Sequence, residues 1–421
     1  MIEMKDSGIE WIGEIPAHWA VKRLKDVSIL NPSYNGCDLE GDVSFVPMES
    51  LRCGQIDLQE ISFSEAKGKY TFFAEEDLLV AKVTPCFENG NIALAKNLKQ
   101  GIGFGSSEIF VLRCIGVLNK YLFYYSFSNE FQGRACSTMC GVGGLKRISP
   151  LFMRTHQLAI PPLAEQQTIA DYLDKKTAEI DKQITALEKK SDAYQRLKRS
   201  LISEVVTRGL NPTAELKDSG IEWIGEIPEH WKIDRVKSFA KTIKGKSCDY
   251  LSEPTTDCYQ VLSVESLRQD ECQFYDYVKV DDDSQICSPD DIVVIWDGAG
   301  VGEFLRAKNG ALSSTIAKVK FTSKKVLPKY FWYWRYKIEY RLKSIPTGMG
   351  IPHLNPNLLN NYKIAIPPLV EQQAIADYLD KKTAEIDSNI SAISSKIDAY
   401  KRLKQSLIDE VVTGKRRIEK A

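Results

Sequence analysis

The stretch IPPLAEQQTIADYLDKKTAEID, residues 160–181, returns as IPPLVEQQAIADYLDKKTAEID at 366–387. The match runs on through DAYQRLKRSLISEVVT (192–207) and DAYKRLKQSLIDEVVT (398–413). Over 160–207 against 366–413, 36 of 48 positions are identical, so the segment is an internal repeat. Pro161 and Pro162 can open a helix but cannot sit inside one. Beyond them neither Pro nor Gly occurs until Gly209, a C-terminal cap, with Pro212 after it. Leu173, Ile180, Leu187, Tyr194 and Leu201 recur every seven residues. Leu379, Ile386, Ile393, Tyr400 and Leu407 repeat that phase in the second copy. Five heptads with charged flanks predict a coiled coil. About 43 residues at a helical rise of about 1.5 Å give a rod of roughly 65 Å. Two matching seams in one chain have an obvious partner in each other, and a two-fold relation makes them antiparallel. The plainer alternative is a long amphipathic helix packed on its own globular block.

A second repeat lies outside the helices. KDSGIEWIGEIPAHW (5–19) recurs as KDSGIEWIGEIPEHW (217–231), with one difference in fifteen positions. The layout is therefore one unit used twice. An N-terminal tag (1–19) precedes a variable block (20–158) and a long helix (159–209). A linker and the repeated tag (210–231) precede a second block (232–364), a second helix (365–414) and a basic tail (415–421). DLLVAKVTP (77–85) and DIVVIWDG (291–298) read as short apolar strands running into loops. FVPMESLR (45–52) and VLSVESLR (261–268) share their ending, so the blocks are one fold with two surfaces. KYLFYYSF (120–127) and KYFWYWRY (329–336) read as aromatic helices, mostly core. The expected class is α+β, with two mixed α/β blocks separated by an antiparallel two-helix coiled coil and a pseudo-two-fold internal repeat.

Composition narrows the chemistry. With 43% hydrophobic and 27% charged residues, the 421-residue chain is of ordinary globular type. No apolar run reaches the length of a membrane span, and MIEMKDSG has neither a basic start nor an apolar stretch. The expected compartment is the cytoplasm, where ten cysteines are buried or incidental thiols. Cys136 and Cys140 form a lone C-x3-C without a second pair, so no metal site is expected. Lysine plus arginine equals aspartate plus glutamate at 56 each, so an anionic partner must be met by a local patch or with help from other subunits.

Several enzyme motifs are tempting and incomplete. Ala240–Ser247, AKTIKGKS, fits a relaxed phosphate-loop pattern, and Ile292–Asp297 resembles a magnesium-holding strand. The loop needs a buried strand before it and a helix after it. Here KIDRVKSF precedes, Pro254 follows, and the first copy reads SILNPSYN. Asn31-Pro32-Ser33-Tyr34 lacks the second Pro of the N-P-P-Y motif that holds a flipped adenine. GIGFGSSE (101–108) has no convincing strand–loop–helix context. His18 and His230 sit in the tags, where a structural role is expected.

The paired motifs GIEWIGEIPxHW and IPPLxEQQxIADYLDxKTAEID, alternating with two variable blocks over essentially the whole chain, resemble the specificity subunits of type I restriction–modification systems. The resemblance implies that each block is a target recognition domain reading half of an asymmetric bipartite double-stranded DNA sequence with a fixed spacer. It implies that the helices set the spacer and dock two modification subunits. Those bind S-adenosylmethionine and methylate adenine. Two restriction subunits are optional additions that bring ATP- and magnesium-dependent translocation and cleavage. The chain itself is then non-catalytic, without cofactor or metal, and away from any membrane. A coiled-coil scaffold that holds only proteins is the competing reading.

Base edges are read by polar side chains, whereas phosphate contacts only position a protein. Polar loops at matched places in the two blocks supply the candidates. After the apolar strand stand Lys82, Thr84, Asn89 and Asn91 in one copy, and Trp296 and Arg306 in the other. The Gly-rich loop STMCGVGGLKR adds Lys146 and Arg147, and PTGMGIPHLNP adds His353 and Asn355. Lys244 and Lys246 complete the set.

Overall fold

A computed structural model describes residues 3–247, 249–269, 276–344 and 352–418. The chain divides into two compact units, 1–188 with 394–421, and 189–393. The cuts fall inside the two long helices, Leu163–Arg208 and Leu369–Val412. Each unit thus owns one tag, one block, the start of one helix and the end of the other.

In the first unit the tag is a hairpin, Met4–Asp6 against Glu14–Pro16, and Trp19 behind it is buried. Ala20–Arg23 then pairs antiparallel with Gln157–Ile160, so the block enters and leaves through neighbouring strands. Between them lie two four-stranded sheets. The first has the order Ile92–Leu94, Leu78–Ala81, Ile109–Cys114, Ser28–Leu30 and is antiparallel throughout. The second has the order Gln59–Ser62, Asp42–Val46, Ile102–Gly105, Thr71–Ala74, with its middle pair parallel. Leu78–Ala81 reads LLVA and every residue is buried, as a central strand covered on both faces requires. The aromatic helix Asn119–Tyr125 buries Tyr121, Leu122, Tyr124 and Tyr125.

The second unit repeats this plan. Its tag hairpin is Leu216–Asp218 against Glu226–Pro228, and Lys232–Arg235 pairs with Lys363–Ile366. Its first sheet runs Phe304–Arg306, Ile292–Ile295, Ile316–Phe321, Ala240–Lys244. Its second runs Tyr277–Lys279, Cys258–Leu262, Gly310–Leu312, Ile286–Cys287, again with a parallel middle pair. Strand for strand, the order matches the first unit. The aromatic helix Pro328–Ser344 is longer, because Asn119–Tyr125 and Asn129–Ser137 are two helices interrupted by Ser126–Ser128.

The helix segments within each unit are antiparallel. In the first, Tyr121 Oη donates to Ala159 O (2.8 Å) and to Val412 O (3.0 Å), while Lys404 Nζ reaches Asp181 at 2.7 Å. The end of one helix therefore lies by the start of the other, and the contacts run in opposite chain directions. In the second, Tyr330 Oη donates to Ala365 O (2.8 Å) and Val206 O (3.2 Å), and Lys198 pairs with Asp387 at 2.6 Å. Leu173, Ile180 and Leu407 in the first unit, and Leu379, Ile386 and Ile393 in the second, are buried. Leu187, Tyr400, Tyr194 and Leu201 are half-buried. Leu173 and Leu379 join the cores of their own blocks, so helix-on-helix and helix-on-block packing share one heptad stripe.

Gly209 and Gly414 close the two helices with φ of +75° and +77°, where a Cβ costs strain. A Cβ on Gly414 would also stand 2.6 Å from Pro16 Cδ, and one on Gly209 3.0 Å from Trp231 Cζ2. Each helix end is thus pressed against the tag of its own unit. His18 meets Glu165, and His230 meets Glu371, both at 2.7 Å, fixing the tag to the helix start.

Candidate nucleic-acid interface

In both units the buried central strand of the first sheet delivers its C-terminal end to a half-buried loop. In the first unit Leu78–Ala81 leads into Lys82, Val83 and Thr84, and the hairpin Cys140–Val142/Leu145–Arg147 lies alongside. Val83 bridges Arg147, and Thr84 N donates to Lys146 O (3.0 Å). Thr84 Oγ1 donates to Gly144 O (2.8 Å) and accepts from Lys146 N (2.9 Å). Lys82, Thr84, Lys146 and Arg147 therefore meet at one place, although the sequence separates them widely.

Their charges are not equally available. Arg147 grips Glu108 through Nε at 2.9 Å and Nη2 at 2.7 Å, and that hydrogen-bonded pairing holds the Glu108 carboxyl below its ordinary pKa. Lys82 Nζ donates to Ser107 O (2.5 Å) and lies 4.7 Å from the Phe110 ring centre, and burial pushes its pKa down. Lys146 is exposed and forms no ion pair among the described residues. Asn89 is exposed as expected, whereas Asn91 is buried at 6% and so is withdrawn from the surface set.

In the second unit Ile292–Ile295 leads into Trp296 and Asp297. Leu354 N donates to Trp296 O (2.7 Å) and Gly298 N to Pro352 O (2.9 Å), which brings the second loop against the first. Asp297 is the centre of a clamp: His353 Nδ1 lies 2.6 Å from Oδ1 and Lys244 Nζ 2.8 Å from Oδ2. Burial alone would raise the Asp297 pKa, but the hydrogen bonds from His353 and Lys244 outweigh it and hold it low. The Lys244 ammonium also lies 5.8 Å from the Trp296 ring centre. Lys246 is exposed and 3.9 Å from Asp282.

Two expected residues are placed otherwise. Arg306 pairs with Ile292 at the start of the central strand, the far end from Trp296. Its guanidinium lies 4.3 Å from the Trp332 ring centre, which Arg335 also covers at 3.7 Å. Burial, followed by the Arg335 charge, lowers its pKa. Asn355 is an N-cap whose side chain accepts from Asn357 N and Leu358 N, so its carbonyl is already used. The preceding stretch IPTGMGI, 345–351, lies outside the described residues.

The enzyme motifs resolve into structural parts. Ala240–Lys244 is a strand, and the following Gly245–Ser247 opens no helix, so the amide cradle of a phosphate loop is missing. Asn31 Oδ1 accepts from Val111 N (2.9 Å), and Tyr34 packs edge-on against Phe63 and Phe72. Residue-by-residue reading missed Glu108, because its partnership with Arg147 depends on sheet register. It also passed over the exposed apolar tip of the glycine hairpin, Val142 and Leu145.

Comparison with known proteins gives the family and the fold. The chain belongs to the type I restriction modification DNA specificity domain family, whose profile matches residues 16–189 and again 228–398. The MjaVIII type I restriction enzyme specificity subunit of Methanocaldococcus jannaschii is 34% identical over 188 residues, covering 44% of this chain and 43% of that protein. The EcoAI specificity subunit of Escherichia coli is 31% identical over 227 residues, covering 52% of this chain and 37% of that protein. These alignments span less than half the length of either relative. A chain from a structure concerned with complex assembly and conformational transition of the type I R-M system shares the fold, with a TM-score of 0.74 at 17% identity. That match covers 94% of this chain and 98% of the other. No described helix is long and apolar enough to cross a membrane.

Proposed function

We propose that this chain is the DNA-recognition subunit of a type I restriction–modification complex. Each unit reads one half of an asymmetric, bipartite duplex target with a fixed spacer. The long helices set the spacer and, with the tags, dock two modification subunits. The chain carries out no chemical step. Adenine methylation from S-adenosylmethionine belongs to the modification subunits, and ATP- and magnesium-dependent cleavage to restriction subunits where they join. The observation that carries this reading is one strand order built twice, with different side chains at the same loop end. Lys82–Thr84–Lys146–Arg147 stands in one unit where Lys244–Trp296–Asp297–His353 stands in the other. A fold kept while its loop chemistry diverges suits two readers of unlike half-sites. The balanced net charge suits a subunit whose partners supply much of the grip on phosphates.

The test is genome-wide adenine methylation in a host carrying this chain and its modification subunit, against a deletion of the chain. Loss of one asymmetric motif with a fixed gap is expected, and it reads out both half-sites. Unchanged methylation with an active modification subunit sinks the reading in favour of a protein scaffold. The spacer has its own test. Four helical residues inserted after Lys190 add about 6 Å of helix. The methylated motif should keep both half-sites and gain about one or two base pairs between them, at about 3.4 Å each. An unaltered gap refutes the ruler.

A further inference from the structure

The tip of the glycine hairpin in the first unit has no structural reason for its composition. Val142 is 89% exposed and Leu145 45% exposed. They face each other across a two-residue turn, Gly143–Gly144, whose φ values of +62° and +81° both require the left-handed region. The opposite face carries one side chain, Lys146. Gly141 stands across from Lys146, and a Cβ on Gly141 would lie 2.1 Å from Leu145 O. The ribbon is therefore aliphatic at its tip, and its second strand is held from Arg147 up to the turn residue Gly144 by the Val83–Arg147 bridge and the three Thr84 hydrogen bonds. Lys146 beside it is exposed and forms no ion pair among the described residues, whereas the Arg147 charge is met by Glu108.

We propose that this hairpin enters the major groove of the first half-site and that Val142 reads a thymine by its 5-methyl group. The inference rests on the DNA-recognition reading above. The major groove admits a two-stranded ribbon, and the thymine methyl is the one apolar mark on its floor. An aliphatic tip beside an exposed lysine fits that floor, with Lys146 directed to the phosphates of its walls. Half-site one therefore contains an A·T or T·A pair whose identity is set by Val142 rather than by a charged side chain.

The experiment uses the assembled complex of this chain with its modification subunits. Duplexes carry uracil in place of each half-site-one thymine in turn, which removes only the methyl group. For the wild type, one position should weaken binding about fourfold, the worth of about one buried methyl. For Val142→Ala the same uracil should cost nothing, while binding to unrelated duplexes and its salt dependence stay unchanged. Val142 is exposed, so the variant keeps the fold. A half-site one with no thymine on either strand overturns the proposal. So does an equal uracil penalty in the wild type and the variant. Weaker subunit assembly in Val142→Ala, without any uracil effect, would assign the tip to a protein contact instead. No sequence-specific retention of any duplex would bring down the DNA reading itself, and this inference with it.

Discussion

The two units teach most where they agree and where they part. Their frames are nearly the same at the level of single bonds. A tag His meets the helix-start Glu at 2.7 Å in both, a phenol bridges the same two carbonyl positions, and a left-handed Gly presses the helix end onto the tag. At the loop end of the central strand nothing corresponds. A Thr84-laced glycine hairpin with an Arg147–Glu108 fork occupies one unit, and a carboxylate clamped by Lys244 and His353 the other. The shared frame is therefore mechanical, and the difference between the units lies in the chemistry of the loops.

The largest test of that division concerns the frame. Trp19 and Trp231 are both buried, so replacing either by Ala should cost about 3–5 kcal/mol in urea unfolding. The pair can be told apart by the gentler change to Phe. Trp231 Nε1 donates to Glu371 at 3.0 Å, whereas Trp19 Nε1 is buried without a partner. Trp231→Phe should cost about 1.5–3 kcal/mol more than Trp19→Phe, the worth of a hydrogen bond to a charged group. Equal losses would show that the indole bond to Glu371 contributes nothing.

The loop ends predict a smaller and one-sided effect. His353→Ala should remove about 1–3 kcal/mol of base discrimination at the second half-site and leave the first half-site intact. Relaxation at both half-sites, seen in the methylated motif, would break the separation of the two readers. The smallest effect concerns acid. Asp297 has a lowered folded-state pKa, so its contribution is fully present above the ordinary carboxylate pKa of about 4 and is lost as pH falls through the folded value. Asp297→Asn should therefore lie below wild type in stability near neutrality and converge on it in strong acid. A difference that persists at low pH would assign the loss to packing.

Much of this was legible before any coordinates. The heptads at Leu173–Leu201 and Leu379–Leu407, the Gly209 cap and the doubled tag are periodic or repeated signals, and they need no tertiary context. The strand order was not legible, because neighbours such as Asp42–Val46 and Ile102–Gly105 are parallel and far apart in sequence. The candidate site was half visible. Loop position picked out two separate loops in each block, and the fold brings Thr84 against Lys146 and the Trp296–Asp297 loop against His353. It could not show that Asn91 is buried, that Asn355 is spent on capping a helix, or that Glu108 occupies Arg147. Those facts depend on register and burial, which polarity alone does not encode.

The bond from Tyr121 to Val412 spans 291 residues and sets an order of events during synthesis. The first unit takes in residues 1–188, yet its core includes Leu407, Ile408, Val411 and Val412. The second unit is complete once residue 393 has left the ribosome. Domains ordinarily mature from the N-terminus onward; here the unit that holds residues 1–188 needs residues beyond 393, whereas the other does not. Until then, the apolar stripe around Leu173 waits for its partner, which makes nascent chains truncated before residue 394 the form most exposed to chaperones and proteases.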